Sequence, residues 1–291
     1  MAADPLIFIS IASYRDPDTQ KTINSLISQA DKPDNLRICV IEQNDITDKF
    51  QVKSHLPRVR VMRNIKAQGP AWARFLASTL WSGEEYYLQI DSHMTFIQHW
   101  DTIIIKDINK LTNKRTVLTC YPPAALPKDD IPVCSITNTW NFDQQNHIIA
   151  VGSILPAQEY PQSGVFVSAG FLFFRSQPFL DEIPFDPNLK YLFQGEEILL
   201  SARLYTHGYK VYHPSRSVCC HDYIRKDRPK VWVNNPDFWA NNSVVVRRYR
   251  YLTHQLKNVE CPVPNLYGEG YIRTIQEWKN RIKLNPEHLF D

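Results

Sequence analysis

Short apolar runs alternate with amphipathic segments through residues 6–90, and this alternation limits the fold more than any other feature of the sequence. The apolar runs have the length of buried strands, whereas the segments after Asp16-Pro17 and Gly69-Pro70 carry apolar residues at helical spacing. The resulting β-α-β-β-α-β order predicts an α/β domain with a largely parallel sheet. In this interpretation Asp16 caps the first helix and Pro17 begins it. The predicted strands of this half cover residues 6–12, 36–41, 59–62 and 86–90.

The second half of the chain has a less regular pattern. Residues 121–134 predict a proline-bounded loop, and residues 196–205 predict a helix that Gly208 closes. From Asp227 onward the sequence becomes helical and aromatic. Because there is no internal repeat or clear linker, we expect one domain with a C-terminal appendage. Further strands are predicted at residues 148–151, 165–174 and 210–212.

Charge and composition exclude several classes of protein. The chain has 291 residues, and its 33 basic and 30 acidic side chains give a net charge of +3. So small an excess gives no reason to expect a nucleic-acid or membrane-surface partner. The apolar N-terminal stretch lacks a basic region and is interrupted by Ser10 and Ser13, so we expect a soluble, cytoplasmic protein without signal peptide or anchor. Six cysteines without CxxC pairs predict reduced thiols rather than a disulfide or zinc framework.

The sharpest local motif is Asp91-Ser92-His93, which follows the strand predicted at residues 86–90. Alternate residues of an extended chain point to the same side, so Asp91 and His93 can hold one divalent cation. A carboxylate with a neutral imidazole suits Mn²⁺ or a related ion better than Mg²⁺. The alternative is structural: Asp91 caps the helix predicted at residues 99–111, and His93 is hydrogen-bonded to it. The carboxyl edge of an open α/β sheet is where ligands bind, and a diphosphate-sugar donor needs a cation there.

Six short blocks occur in a recognisable order along the chain. They are Ser10 to Asp16, Gly69-Pro70 with Ala73-Arg74, Asp91-Ser92-His93 with Trp100-Asp101, Ser168 to Phe173, Gly195-Glu196-Glu197, and Cys220 to Tyr223 with Arg225. From about Ile7 to Arg228, the sequence resembles the cytoplasmic polypeptide α-N-acetylglucosaminyltransferases that act on hydroxyproline. More distantly, it resembles the mucin-type polypeptide N-acetylgalactosaminyltransferases.

The resemblance implies a GT-A fold, in which helices flank a Rossmann-like mixed sheet, with residues 1–228 as the catalytic domain. Residues 229–291 would form a helical, aromatic-rich extension packed on this domain. The resemblance also implies that His221 is a third, distant metal ligand beside Asp91 and His93, and that Asp91, Glu196 and Glu197 act in catalysis. The donor-binding residues that it implies are Ser13, Tyr14, Arg15, Arg74, Ser92, Ala169, Gly170 and Arg225.

Several of these residues also have a structural interpretation. His221 is compatible with a buried histidine, or with a zinc cluster formed by Cys219, Cys220, His213 and His221. Glu196 and Glu197 are compatible with first-turn acids that the helix dipole favours. Arg74 and Arg225 can orient either a diphosphate or a carboxylate. Residues 247–251 predict a solvated helix face with tyrosine packed inward.

The predicted function is the transfer of GlcNAc from UDP-GlcNAc to a hydroxyl of a protein or peptide acceptor (Ser/Thr or hydroxyproline), with retention of configuration and with Mn²⁺ as cofactor. The resemblance implies same-face attack, with a donor phosphate oxygen taking the acceptor proton. The donor sugar stays open among GlcNAc, glucose and GalNAc. Acceptor choice is assigned to residues 232–271.

Three alternatives to this function are considered. One is an inverting GT-A transferase on a glycan acceptor, with Glu196 or Glu197 as general base. Another is a catalytically silent nucleotide-sugar-binding module on the same scaffold. A metallophosphoesterase also begins with DxH, but the later Gly-Asn-His-type block of such enzymes is absent from the sequence.

Overall fold

The strands of the central region follow the apolar runs of the sequence. A computed structural model of the chain describes residues 4–125, 133–142, 148–252 and 265–284. Its strands are Ile7–Ser13 (β1), Leu36–Glu42 (β2), Val59–Met62 (β3), Tyr86–Asp91 (β4), Met94–Phe96 (β5), Thr116–Thr119 (β6), Val133–Phe142 (β7), Ile148–Pro156 (β8), Gln162–Ser163 (β9), Phe171–Arg175 (β10), Lys210–His213 (β11) and Cys219–His221 (β12).

Helices connect these strands and continue towards the C-terminus. They are Thr19–Gln29 (α1), Pro70–Ser78 (α2), Trp100–Asn109 (α3), Ser176–Glu182 (α4), Glu196–Thr206 (α5), Val231–Asn234 (α6), Phe238–Leu252 (α7) and Ile275–Arg281 (α8). Within the described ranges, every helix is too short or too polar to cross a bilayer.

The centre of the molecule is an eight-stranded mixed sheet with the order β3-β2-β1-β4-β10-β6-β11-β9. Strands β1, β2, β3 and β4 run parallel, as the first half of the sequence predicts. Both faces of β1 are buried: Ile7, Ile9 and Ile11 face one apolar cluster and Phe8 faces the other. Helices α1 and α3 cover the first face, while α2 and α4 cover the second. Burial on both faces explains why β1 is an almost continuous apolar run.

Strand β10 lies antiparallel between β4 and β6, which makes the sheet mixed. Of the strand predicted at residues 165–174, residues 171–174 belong to β10, whereas the pairing of residues 165–170 is limited to an isolated bridge between Ser168 and Phe171. Side chains hold the intervening backbone instead: Ala169 N–H donates to Glu197, and Gly170 N–H donates to Ser168 Oγ. These bonds turn the chain towards the carboxyl end of β4.

The first helix begins later than predicted. Helix α1 starts at Thr19 and its N-cap is Asp18, so the assignment of Asp16 as cap and Pro17 as first helical residue is wrong. The Asp16 carboxylate is used elsewhere: Oδ1 accepts a hydrogen bond from Asp18 N–H, and Oδ2 contacts Ser92 and His93.

The sequence pattern predicts neither of two antiparallel pairings, although it does predict part of β8 at residues 148–151. Strands β7 and β8 form an antiparallel hairpin. Of the loop predicted at residues 121–134, residues 133–134 belong to β7 and residues 126–132 lie outside the described part. Strands β5 and β12 also pair antiparallel, with His221 opposite Met94. This second pairing brings a distant part of the chain beside the Asp91-Ser92-His93 motif.

The C-terminal helices contribute to a separate apolar cluster that they share with α5 and β8. Trp278 of α8 is fully buried and its ring lies 6.3 Å from that of Phe166, edge to face. Tyr249 of α7 is also fully buried, as predicted for this helix face, whereas Arg247 is exposed. The side chains of Arg248 and Tyr251 lie outside the description.

Two of the cysteines agree with the prediction of reduced thiols. Cys39 and Cys219 are free and buried. Burial raises the pKa of Cys39 to about 12, so this thiol stays protonated at neutral pH. Cys261 and the side chain of Cys134 lie outside the described part of the chain.

Candidate active site

Asp91, His93 and His221 converge at the carboxyl edge of the sheet, as predicted. Asp91 is the last residue of β4, and His221 is the last residue of β12. Each of the three residues offers one ligand atom, and these atoms lie within 4.8 Å of one another. His221 Nε2 is 3.2 Å from Asp91 Oδ2 across 130 residues of sequence. The β5–β12 pairing accounts for this approach, because it places His221 beside the strand that follows His93.

The donor atoms of this trio fit a divalent cation. Because a carboxylate only accepts hydrogen bonds, the 2.9 Å contact with Asp16 Oδ2 places the proton of neutral His93 on Nδ1 and leaves Nε2 unprotonated. His221 Nδ1 is buried and has no hydrogen-bond partner in the described structure. One carboxylate and two imidazoles form a mixed oxygen and nitrogen set of the kind that Mn²⁺ and related ions accept.

Asp91 is held in its charged form. Burial alone would favour its protonation, but the hydrogen bond with His221 and the positive charge of Arg74 outweigh burial and keep the pKa of Asp91 well below its usual range. Asp91 is therefore ready to bind a cation at neutral pH. The structural alternative, in which Asp91 caps a helix, is wrong because α3 begins after His99 and without a side-chain cap.

The alternative zinc cluster does not form among the described residues. His213 Nδ1 donates to the carbonyl oxygen of Thr119 at 2.8 Å, and the imidazole is fully buried there. Within the described ranges, the one group of three or more potential ligands is Asp91, His93 and His221.

Arg74 bridges two carboxylates beneath the site. From α2, its Nη2 donates to Asp91 Oδ1 at 3.1 Å and its Nη1 donates to Glu196 Oε1 at 2.7 Å. Only 5% of the Arg74 side chain is exposed. Of the two roles predicted for Arg74, the structure places it on carboxylates. Burial raises the pKa of Glu196, and Arg74 partly offsets this effect.

Glu197 fastens the loop that precedes β10. Its Oε1 accepts a hydrogen bond from Ala169 N–H at 2.6 Å, and its Oε2 accepts one from the Tyr121 hydroxyl. Burial raises the pKa of Glu197 to about 7. Glu196 and Glu197 do occupy the first turn of α5, but both carboxylates bind groups on other elements rather than only the helix N-terminus.

Gly170 permits a close approach between this loop and Asp91. A β-carbon at position 170 would lie 2.9 Å from Asp91 Oδ2, which is closer than real β-carbons come to other atoms. The loop therefore passes directly against the Asp91 carboxylate, and only glycine fits there without a shift.

A cavity of about 590 Å³ opens over the trio. This volume is in the range of small-molecule sites. Most of the predicted site residues line it: Tyr14, Arg74, Asp91, Ser92, His93, Ala169, Gly170, Glu196, Glu197, His221 and Arg225.

Two predicted donor-binding residues, Ser13 and Arg15, do not line this cavity. Ser13 is buried and its hydroxyl is 2.8 Å from that of Thr19. The Arg15 guanidinium makes a bidentate ion pair with Asp48.

The sequence pattern missed several residues of the site. Asp16 contacts Ser92 and His93, and it forms a 2.9 Å ion pair with Arg225. Tyr121, Phe193 and Trp232 line the cavity. A signal for Asp16 existed: residues that follow two adjacent parallel strands must meet at one edge, and Ala12 of β1 pairs with Asp91 of β4.

Comparisons with known proteins agree with this architecture. A family model described as "Glycosyltransferase (GlcNAc)" matches residues 6–58 and 49–288. No curated protein matches the chain in a sequence search. The crystal structure of GalNAc-T7 with UDP, GalNAc and Mn²⁺ is similar, with a TM-score of 0.63 and 15% identity over 96% of this chain and 56% of that one. The structure of TarS from S. aureus aligns with a TM-score of 0.49 and 13% identity over 88% of this chain and 41% of the other.

The likeness to GalNAc-T7 is a likeness of fold. The mixed sheet with flanking helices is the GT-A architecture that the family resemblance implies. The chain spans little more than half the length of GalNAc-T7.

Proposed function

The chain belongs to the glycosyltransferase (GlcNAc) family, and on this basis we propose that it transfers GlcNAc from UDP-GlcNAc to a hydroxyl of a protein, with retention of configuration. The observation that carries the proposal is the convergence of Asp91, His93 and His221 beside a cavity of about 590 Å³ in a GT-A fold. The GT-A neighbour GalNAc-T7 was crystallised with UDP, GalNAc and Mn²⁺, which supports a nucleotide-sugar donor and a divalent cation here.

Asp91, His93 and His221 would hold Mn²⁺ in this proposal. When bound, the cation supplies positive charge that stabilises the leaving diphosphate. Arg74 keeps Asp91 charged and oriented from below, and Arg225 and Arg228 add positive charge to the cavity wall. Because Arg74, Arg225 and Arg228 are each paired with a carboxylate, the bound cation would supply the positive charge that the diphosphate needs.

Glu196 and the loop at Ala169 and Gly170 would seat the donor sugar. Glu196 lines the cavity, and Arg74 fixes one of its carboxylate oxygens at 2.7 Å. A carboxylate held in this way can accept hydrogen bonds from sugar hydroxyls without reorganisation. Glu197 holds the Ala169 backbone, so both acids contribute to the shape of the sugar site.

The carboxylates of Glu196 and Glu197 already have partners in the protein, which supports retention over inversion. A general base must reach the acceptor hydroxyl, but Glu196 is ion-paired with Arg74 and both oxygens of Glu197 accept hydrogen bonds from Ala169 N–H and Tyr121. In the retaining reaction, the acceptor oxygen forms its bond to the anomeric carbon on the face that the diphosphate leaves. A donor phosphate oxygen takes the acceptor proton, so the protein does not need to supply a base.

An aromatic pair at the cavity wall supports an acceptor site in the C-terminal third. Phe193 and Trp232 both line the cavity, and their ring centroids are 4.1 Å apart. Trp232 begins the segment to which the sequence assigns acceptor choice. Such rings offer a flat apolar surface beside the polar donor site.

The decisive experiment incubates the purified protein with Mn²⁺, a panel of UDP-sugars and a hydroxyl-bearing peptide library. Mass spectrometry would detect HexNAc on peptide and free UDP, and NMR of the product would give the anomer. We expect α-linked GlcNAc from UDP-GlcNAc. A β-linked product would refute retention. UDP binding without turnover on any acceptor or water would instead favour a silent binding module.

A further inference from the structure

The Asp16 carboxylate is a convergence point that neither the family match nor the metal trio explains. Asp16 is only 3% exposed. Its Oδ2 accepts a hydrogen bond from Ser92 Oγ at 2.6 Å and lies 2.9 Å from both His93 Nδ1 and Arg225 Nη2. A buried carboxylate is unfavourable unless it is paired. These contacts show a site organised around one charged oxygen.

The contact with His93 determines which imidazole nitrogen can bind a cation. Since Asp16 can only accept, Nδ1 of neutral His93 must donate, and the lone pair is left on Nε2. In metal sites, a carboxylate that accepts from the second ring nitrogen fixes the tautomer, orients the ring and increases its basicity. The position of Asp16 matches this arrangement.

The ion pair with Arg225 adds a second connection. Arg225 follows His221 by four residues, and it lines the cavity with 20% of its side chain exposed. Asp16 therefore joins the segment after β1 to the segments that carry both histidine ligands. Neighbouring Asp18 forms a comparable 2.7 Å ion pair with Arg228. Asp18 is not among the partners of His93, so it offers a matched comparison.

We propose that Asp16 is a positioning residue that holds His93 in the tautomer with Nε2 free for the metal and fixes Arg225 beside it. This inference rests on the proposed function, because it assumes that the trio binds Mn²⁺. Asp16 does not touch the reacting atoms in this proposal and acts through His93 and Arg225.

The test measures Mn²⁺ binding to the full chain without nucleotide, by titration calorimetry and by the electron paramagnetic resonance signal of free Mn²⁺. Asp16→Ala and Asp16→Asn are compared with the wild type and with Asp18→Asn. We expect the Asp16 variants to lose about 10- to 100-fold in Mn²⁺ affinity, the more so for alanine. The Asp18→Asn variant should stay within about twofold of the wild type because it leaves the contacts of His93 intact.

A second measurement separates positioning from loss of fold. Nitrogen-15 NMR of histidine-labelled protein without metal reports the tautomer of His93, while circular dichroism checks folding. We expect a protonated Nδ1 in the wild type and in Asp18→Asn, and a mixture of tautomers in Asp16→Ala. If Asp16→Ala does not fold but Asp16→Asn does, the Mn²⁺ affinity of Asp16→Asn is compared by calorimetry with that of Asp18→Asn. A lower affinity in Asp16→Asn supports the proposal, and an equal affinity overturns it.

The outcomes distinguish this inference from the function on which it rests. Folded Asp16 variants with wild-type Mn²⁺ affinity and an unchanged His93 tautomer would overturn the role of Asp16. A wild-type chain that binds no Mn²⁺ would overturn the metal assignment of the proposed function and, with it, the role of Asp16 in metal binding.

Discussion

Nη2 of Arg74 lies 3.1 Å from Oδ1 of Asp91, so a nearly buried arginine of α2 supports one carboxylate of the metal site. The same guanidinium holds Glu196, and the substitution Arg74→Ala would leave two acids close together without a counter-ion. Breaking a buried ion pair costs about 3–5 kcal/mol, and the partial exposure of Asp91 reduces this to about 2–3 kcal/mol. Chemical denaturation measures this difference in the free energy of unfolding.

The control for Arg74→Ala is Arg115→Ala. Arg115 makes a bidentate pair with Glu182, but both side chains are substantially exposed. An exposed pair contributes about 1 kcal/mol or less. Equal losses of stability in the two variants would contradict the structural role assigned to Arg74.

His221→Ala should abolish tight Mn²⁺ binding and lower the rate of sugar transfer about 100-fold or more, because it removes one of the three proposed ligands. His213→Ala is the matched control, since His213 is fully buried but bonded to Thr119 away from the trio. We expect His213→Ala to lower the melting temperature without changing the Mn²⁺ dissociation constant. A loss of metal binding in His213→Ala would instead support the alternative in which His213 belongs to a zinc cluster.

Gly170→Ala should weaken Mn²⁺ binding by about tenfold, because the added β-carbon would lie 2.9 Å from Asp91 Oδ2 and displace that ligand. Gly83→Ala controls for backbone strain. Gly83 has a φ of +106°, and a β-carbon there meets nothing within 4 Å. Alanine at position 83 should cost about 1 kcal/mol of stability and leave Mn²⁺ affinity unchanged. Titration calorimetry measures the Mn²⁺ affinity of the two variants, and scanning calorimetry measures their stability.

Glu197 predicts a specific dependence of stability on pH. Burial raises its pKa from 4.5 to about 7 in the folded protein, so the folded state holds its proton more tightly than the unfolded state does. The stability linked to this proton is complete below pH 4.5 and is lost as the pH rises through about 7. Glu197→Gln cannot lose a proton, so its stability relative to the wild type should increase over this range, by at most on the order of 3 kcal/mol.

Glu277 offers a control of opposite sign for the Glu197 experiment. Hydrogen bonds from the Thr274 backbone and side chain lower the pKa of Glu277 below its ordinary value. The contribution of ionised Glu277 to the free energy of unfolding is therefore present at neutral pH and is lost as the pH falls through the lowered pKa. Relative to the wild type, Glu277→Gln should be less stable at neutral pH, with the difference closing in acid. Chemical denaturation of Glu197→Gln, Glu277→Gln and the wild type across this pH range measures these differences. If the stability of both variants relative to the wild type changed in the same direction with pH, the assignment would be contradicted.

Trp232→Ala should raise the KM for the acceptor about 5- to 10-fold and leave hydrolysis of the donor unchanged, if the aromatic pair binds the acceptor. Trp239→Ala is the control, because Trp239 is 48% exposed but does not line the cavity. Steady-state kinetics with varied peptide and fixed UDP-GlcNAc would compare the acceptor KM of Trp232→Ala with that of Trp239→Ala. An effect confined to the KM for the donor would assign Trp232 to nucleotide binding.

The parallel half of the sheet follows from sequence because β1, β2 and β4 are buried on both faces and form apolar runs, while the edge strand β3 is shorter and partly exposed. Strands β5 and β12 do not follow in the same way, since three-residue strands are defined by their partner rather than by a pattern of their own. Val165, Phe166 and Val167 have the apolar character of a buried strand, but hydrogen bonds to Glu197 and Ser168 hold Ala169 and Gly170 in a turn directly before β10.

The candidate site was predictable where the residue types and spacing of a short motif indicate metal binding. The motif at Asp91 and His93 predicts these two ligands, and the family resemblance implies His221, which does lie beside them. Asp16 was assigned to a helix cap because an aspartate before a proline has that local preference, whereas its actual partners are distant in sequence: Ser92, His93 and Arg225. Arg15 shows the converse, because its pairing with Asp48 depends on a loop that no short-range pattern reveals.

The pairing of β5 with β12 has a consequence for biosynthesis. A ribosome that has completed residues 1–200 has delivered Asp91 and His93 but not the strand that seats His221. Contacts across such sequence separations form late, because closing a long loop must precede the interactions that reward it. Metal capture by the trio thus becomes possible only after most of the polypeptide has emerged, and a prematurely terminated product would lack the third ligand.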